Sequence, residues 1–200
     1  INRRIEDFDR TYSRFRSDSI VGEIAIKAGE YTLPYSPALF DLYEELNALT
    51  LGAVTPLIGA TLEDLGYDKE YSLTPKTIIR KTPEFGSVLK RSGETITTIQ
   101  PLSLDVGAAG KGLLVDLICN ELRDSGHDTF TVDASGDIRA IGHDIETIGL
   151  ESPIDSAKVI GTVQLTNRAL CASATNRRAW GEHHHIIDPR TSEPAKDIIA

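Results

Sequence analysis

Apolar residues first recur at helical spacing. Ile1, Ile5, Phe8 and Tyr12 fall on one stripe, which predicts a packing helix over residues 1–12. Ser19 or Asp18 then stands where a capping oxygen would start a short helix through Ile26. Ser36-Pro37 joins a capping hydroxyl to a proline suited to the first helical turn, with Leu39, Leu42, Tyr43 and Leu46 as its buried face. Thr55-Pro56 repeats that signal for a helix reaching Leu65 and stopping at Gly66. Later the period changes to that of strands. Residues 95–99, 102–106, 129–132 (of buried type), 138–142, 147–150, 159–165 and 169–172 are β-rich. A helix over 113–123, ended by Gly126, separates them. Helices early and strands late predict an α+β fold, with helices packed on a mixed, largely antiparallel sheet in one domain over residues 1–200.

The connections are less regular. Residues 66–94 carry Pro75, Pro83, Gly86 and Gly93, so they read as a loop-rich link with one strand near residues 77–80. Leu49-Thr50-Leu51-Gly52 is apolar yet lies between two helices, so it either plugs the core or lines a pocket. Phe15 stands in a polar loop, as a core residue or against a planar ring. Thr166-Asn167-Arg168 reads as a hairpin-type connection.

Charge narrows the function. The net charge is −9, from 30 acids against 21 bases, which argues against a nucleic-acid groove. No apolar run approaches the ~18 residues of a membrane-spanning helix. Cys119 and Cys171 both have apolar neighbours and read as buried free thiols, with a disulfide left open. The opening Ile1-Asn2-Arg3-Arg4, without Met or a signal peptide, and the apolar close at Ile198-Ile199-Ala200 read as ends cut from something longer.

Three stretches have chemical potential. Asp105-Val106-Gly107-Ala108-Ala109-Gly110-Lys111-Gly112 joins an expected strand to an expected helix, a junction whose free N–H groups suit phosphate. It is neither a Walker A loop nor Gly-x-Gly-x-x-Gly, and a plain tight turn remains the other reading. His183-His184-His185 is a strand end in which alternation puts His183 and His185 on one face. A general base is the more useful reading than zinc, because no third ligand has supporting spacing. In Asp188-Pro189-Arg190-Thr191, proline stiffens a turn, and Asp188 either orients a nearby His or Arg or caps that turn. Arg177 and Arg178 either bind an anion or are solvated.

Taken together, these stretches resemble the ApbE-type flavin transferases. The glycine loop with Asp116, residues 132–142 around Ser135-Gly136-Asp137, residues 173–177, and His185-Ile186-Ile187-Asp188-Pro189-Arg190-Thr191 match in order and spacing. Residues 13–19 and Thr55-Pro56-Leu57-Ile58 add weaker matches. The resemblance implies transfer of FMN from FAD to a Ser or Thr hydroxyl of an acceptor protein, with Mg²⁺ and release of AMP. It implies that Asp105 and Lys111 contact FAD and that Ala108 offers its backbone carbonyl to the metal. Phe15 packs near the flavin, Leu49, Thr50 and Leu51 align with a flavin-site segment, and Ile187 lines the isoalloxazine pocket. His185 is the candidate base. The metal's remaining ligands are expected in an Asp-rich Ala-Thr segment beyond Ala200, and the family's N-terminal strand is not matched. The family is often extracytoplasmic and membrane-anchored; no lipobox is read here.

Three other readings compete. An FAD pyrophosphatase would use water as acceptor. A flavin-binding protein would hold FAD without turnover. In a structural module the glycine loop would be only a turn.

Overall fold

The computed structural model describes residues 1–196 and 199–200; the apolar ending read at Ile198 lies partly outside them. The chain divides into two compact units. The first holds residues 2–110 and 180–195, and the second holds residues 1, 111–179 and 196–200. The class is α+β, with the ladders among β1–β8 (ranges below) all antiparallel.

In the first unit, helix α1 (Asn2–Tyr12) follows the apolar stripe, and α2 (Ile20–Ile26) starts where its cap predicts. Gly22 N–H donates to Ser19 Oγ at 2.9 Å, a cap generally contributing about 1 kcal/mol. Helix α3 (Ser36–Leu49) differs at its start. Tyr35, in the left-handed region at φ 65, takes the capping position without a side-chain cap, and Ser36 Oγ instead turns to Gly93 O. On its buried face Leu39, Phe40 and Tyr43 are sealed while Leu42 is exposed. A 3-10 turn, Pro56–Ile58, leads into α4 (Gly59–Asp64). Leu57 N–H donates to Thr55 Oγ1, and Gly66, at φ 98, ends the helix as expected. Glycine is needed there twice over, because an added Cβ would lie 2.4 Å from Thr74 N.

Strands β1 (Gly29–Thr32), β2 (Leu89–Ser92) and β3 (Thr95–Thr98) pair in the order β1-β3-β2. Ile96 of the central strand, opposite both Tyr31 and Arg91, is fully buried. Two expected strands are not formed. Residues 102–106 run without a strand partner: Leu102 N–H donates to Ile24 O and Asp105 N–H to Pro56 O. Their apolar side chains are buried, so loop carbonyls do the work of a sheet. Residues 77–80 form a strap tied to Asp64 rather than a strand. Lys76 N–H donates to Asp64 O, and Lys76 Nζ and Arg80 Nε donate to its carboxylate at 2.8 and 2.6 Å.

In the second unit, α5 (Gly110–Asp124) packs Val115 and Cys119 against Ile141, Phe130 and Val132. Strands β4 (Phe130–Asp133), β5 (Asp137–Ile141) and β8 (Ala169–Cys171) make one sheet in that order. Strands β6 (Glu146–Glu151) and β7 (Val159–Leu165) make a separate ladder. Strand β4 is half-buried, not the buried strand its composition suggests. Residues 166–168 do not close a hairpin, since β7 and β8 pair with different strands. Cys119 is buried and free as expected, whereas Cys171 is free but exposed. Among the described residues no helix is long and apolar enough to cross a membrane.

Candidate functional site

The glycine loop is less open than its sequence suggests. Gly107 N–H donates to Asp105 Oδ1 at 2.8 Å, and Ala109 and Gly110 N–H both donate to Val106 O. Three amides that would suit a phosphate are therefore already used. Gly107 and Gly110 serve close packing instead, whereas a Cβ on Gly112 would meet nothing within 4 Å. A Cβ on Gly107 would lie 2.8 Å from Asp105 Oδ1, and one on Gly110 would lie 2.9 Å from Val106 Cγ2. The side chain of Lys111 turns to Asp137 at 3.0 Å within the second unit, with Ala134 and Ser135 carbonyls nearby.

Asp105 is held at both oxygens. Arg14 Nε donates to Oδ2 at 2.6 Å, and the Arg14 side chain is only 4% exposed. Its guanidinium lies 4.2 Å from the centroid of the Phe15 ring and 5.0 Å from that of Tyr67. Both Nη atoms are buried without a hydrogen-bond partner, so the aromatic faces supply their attraction. Sequence reasoning missed Arg14. Its only signal was its place beside Phe15 in an otherwise polar loop.

The aromatic contacts continue. Tyr67 meets Phe15 edge-on at 5.5 Å, stacks on Trp180 at 5.8 Å and comes within 6.4 Å of the His185 ring. Trp180 Nε1 donates to Leu65 O. Ile187 is buried with Leu62, Leu65, Tyr67 and Trp180, and Phe15 packs against that cluster. Thus Asp105, Arg14, Phe15, Tyr67 and His185 form one continuous run of contacts from four separated parts of the chain. Tyr67 and Trp180 were also missed, although Tyr67 directly follows the helix-ending Gly66.

The three histidines differ. His183 lies 6.2 Å from Trp180, so it and His185 both face the aromatic cluster, as strand alternation predicts. His184 turns the other way. Ile186 N–H donates to its Nδ1, which makes Nε2 the donor to Ala195 O at 2.9 Å. His185 Nδ1 is buried. Asp188 orients Arg190 in a forked pair, with Nε donating to Oδ1 at 2.9 Å and Nη2 to Oδ2 at 2.6 Å. Hydrogen bonding from Arg190 holds its carboxyl below the usual range despite partial burial. Arg177 pairs with Glu151.

Leu49 and Leu51 are 72% and 83% exposed, so this connection does not plug the core. Thr50 is tied back through Oγ1 to Leu46 O. Leu51 sits at φ 52, and a Cβ on Gly52 would meet Arg190 Cγ at 3.8 Å. Gly52, directly after Leu51, therefore adjoins the turn that follows Ile187. Tyr43 is buried, and burial pushes its hydroxyl pKa up, reinforced by the charge of Asp105. Ala108 follows Gly107 in the same loop. Among the described residues no three His, Cys, Asp or Glu side chains gather where a metal could sit.

Tyr71 stacks on Phe15, with centroids 5.3 Å apart and planes 6° from parallel, while remaining 55% exposed. It adopts φ 51, a left-handed conformation costing a non-glycine residue roughly 1–2 kcal/mol. Aromatic pairs return about 0.5–1.5 kcal/mol each, and Tyr71 makes a second one, edge-on with Tyr67 at 5.6 Å.

Known proteins share this chain's fold and family pattern. The ApbE family matches residues 1–200. An FAD:protein FMN transferase of Klebsiella pneumoniae (strain 342) is 26% identical over 196 residues, covering 90% of this chain and 60% of that protein. One from Vibrio cholerae is 24% identical over 219 residues, covering all of this chain and 65% of that protein. The ApbE protein of Thermotoga maritima superposes with a TM-score of 0.84 at 22% identity, over 99% of this chain and 71% of that one. That likeness speaks to the fold. The chain thus spans less than two thirds of the length of these two curated relatives.

Proposed function

This chain belongs to the ApbE family, and from that premise we propose that its protein transfers FMN from FAD to a Ser or Thr hydroxyl of an acceptor protein. The observation that carries the reading is the run Asp105–Arg14–Phe15–Tyr67–His185. It joins a fixed carboxylate, aromatic faces and an imidazole, which fits a ligand with a planar ring and polar groups. Phe15 and Ile187 face the isoalloxazine ring, with Leu49, Thr50 and Leu51 closing its rim. Asp105 binds a polar group of FAD.

The acceptor oxygen attacks the phosphorus on the FMN side of the pyrophosphate. The bond to the AMP phosphate breaks, AMP leaves, and a proton is released. His185 is the base that takes this proton. Mg²⁺ would supply charge neutralisation at the pyrophosphate. Ala108 would hold it through its carbonyl. Among the described residues no cluster of three His, Cys, Asp or Glu side chains stands at that place.

The test is incubation of the full-length protein with FAD, Mg²⁺ and an acceptor protein carrying a target Thr. Covalent flavin fluorescence on the acceptor after denaturing electrophoresis is expected, with one AMP released per label. Free FMN without labelled acceptor would assign a pyrophosphatase instead, and no FAD consumption would overturn both.

A further inference from the structure

We infer that Tyr71 holds the stacking face of Phe15 in place of the ligand, and so sets the affinity and selectivity of the ring that binds there. The inference rests on the reading that Phe15 faces a flavin. Tyr71 lies almost parallel to Phe15, 6° between planes at 5.3 Å. Inserting a planar ring on that face requires Tyr71 to leave. Its backbone sits at φ 51, a left-handed conformation unusual for a residue with a Cβ. Leu73, two residues on, is also left-handed at φ 51, so strain is concentrated in this short loop. Tyr71 is more exposed than buried, and on leaving, its ring gives up the stack on Phe15 and an edge contact with Tyr67 at 5.6 Å.

The loop itself is closed without the ring. Tyr71 N–H donates to Asp68 O, Ser72 N–H and Oγ donate to the Asp68 carboxylate, and Leu73 N–H donates to Gly66 O. The side chain can therefore leave while the backbone stays. A small or non-planar ligand that cannot replace the lost stacking will not displace it. An extended aromatic ring system will, which gives selection for ring size at one position.

The sole tryptophan, Trp180, stacks on Tyr67 beside this site, so its fluorescence reports ring binding by energy transfer to flavin. Wild type, Tyr71→Gly and Tyr71→Phe are titrated with FAD and with FMN, and association is followed by stopped flow. Tyr71→Gly is expected to bind both flavins about tenfold more tightly, chiefly through faster association. Tyr71→Phe should match wild type, and thermal unfolding should show all three folded. If wild type binds and Tyr71→Gly binds equally or more weakly, Tyr71 is neutral or a permanent wall, and the inference is overturned. If none of the three binds either flavin, both this inference and the flavin reading fall.

Discussion

Arg14 and Asp105, 91 residues apart, are joined by a 2.6 Å hydrogen bond from Nε to Oδ2, with the arginine side chain nearly sealed from solvent. This pair ties the loop before α2 to the loop before α5. It also leaves the guanidinium between two aromatic rings, so it places a carboxylate and the Phe15 ring in one rigid group. Removing either partner leaves a buried charge without its counter-charge.

Arg14→Met is therefore expected to destabilise the protein by about 3 kcal/mol, a fall in Tm of roughly 6–12 °C for a chain of this size. Arg14→Lys should recover part of the loss by keeping a positive charge. Thermal unfolding measures both, and a Met variant within 1 °C of wild type would contradict a structural role for the pair.

Asp105→Asn keeps the shape but removes the charge and replaces one accepting oxygen with an amide NH2, which cannot accept from Arg14 or Gly107. FAD affinity should fall about tenfold, the effect of losing one charged hydrogen bond. Isothermal titration reads this directly. Unchanged affinity would remove Asp105 from the ligand site.

His185→Ala should lower FMN transfer in the full-length protein by about 10²–10⁴-fold, the usual contribution of a general base. FAD binding should survive, because Phe15 and Ile187, the residues proposed to face the flavin ring, remain. Equal transfer rates would exclude His185 as the base. By contrast, His184→Ala should act mainly on stability, since both of its ring nitrogens are engaged in backbone hydrogen bonds.

Asp64 gives a pH prediction. Burial raises its pKa, but hydrogen bonds from Arg80 and Lys76 outweigh burial and bring it down to about 2. A carboxyl whose folded pKa is depressed adds stability above its unfolded pKa and loses it as pH falls through the folded value. The contribution, about 2 kcal/mol, should be complete above pH 4 and disappear between about pH 4 and pH 2. In Asp64→Asn that part of the acid dependence should be absent. Denaturant melts across this range measure the difference, and parallel acid profiles would refute the assignment.

The local elements were legible because their causes act within a few residues. Ser19 and Thr55 each satisfy an amide two or three positions on, and Gly66 and Gly126 take the left-handed conformations that end helices. The α+β class follows from the same periods. Residues 102–106 were misread because β-rich composition reports burial as well as pairing, and here only burial applies. The same limit holds at residues 49–52, where apolar composition cannot tell a core plug from an exposed rim.

The sequence by itself determined which stretches form helices and which glycines end them, which stretches carry chemistry, and which family they resemble. It also placed Asp105, Phe15, Ile187 and His185 among the candidates. Only the tertiary structure decided that Arg14 and Tyr67 connect those candidates, that Tyr71 covers Phe15, and that the glycine loop's amides are mostly spent on itself. Caps and periods are set by neighbours in the chain and leave a mark in it. An ion pair across 91 residues, or a ring laid on another ring, is set by packing and leaves no local pattern to read.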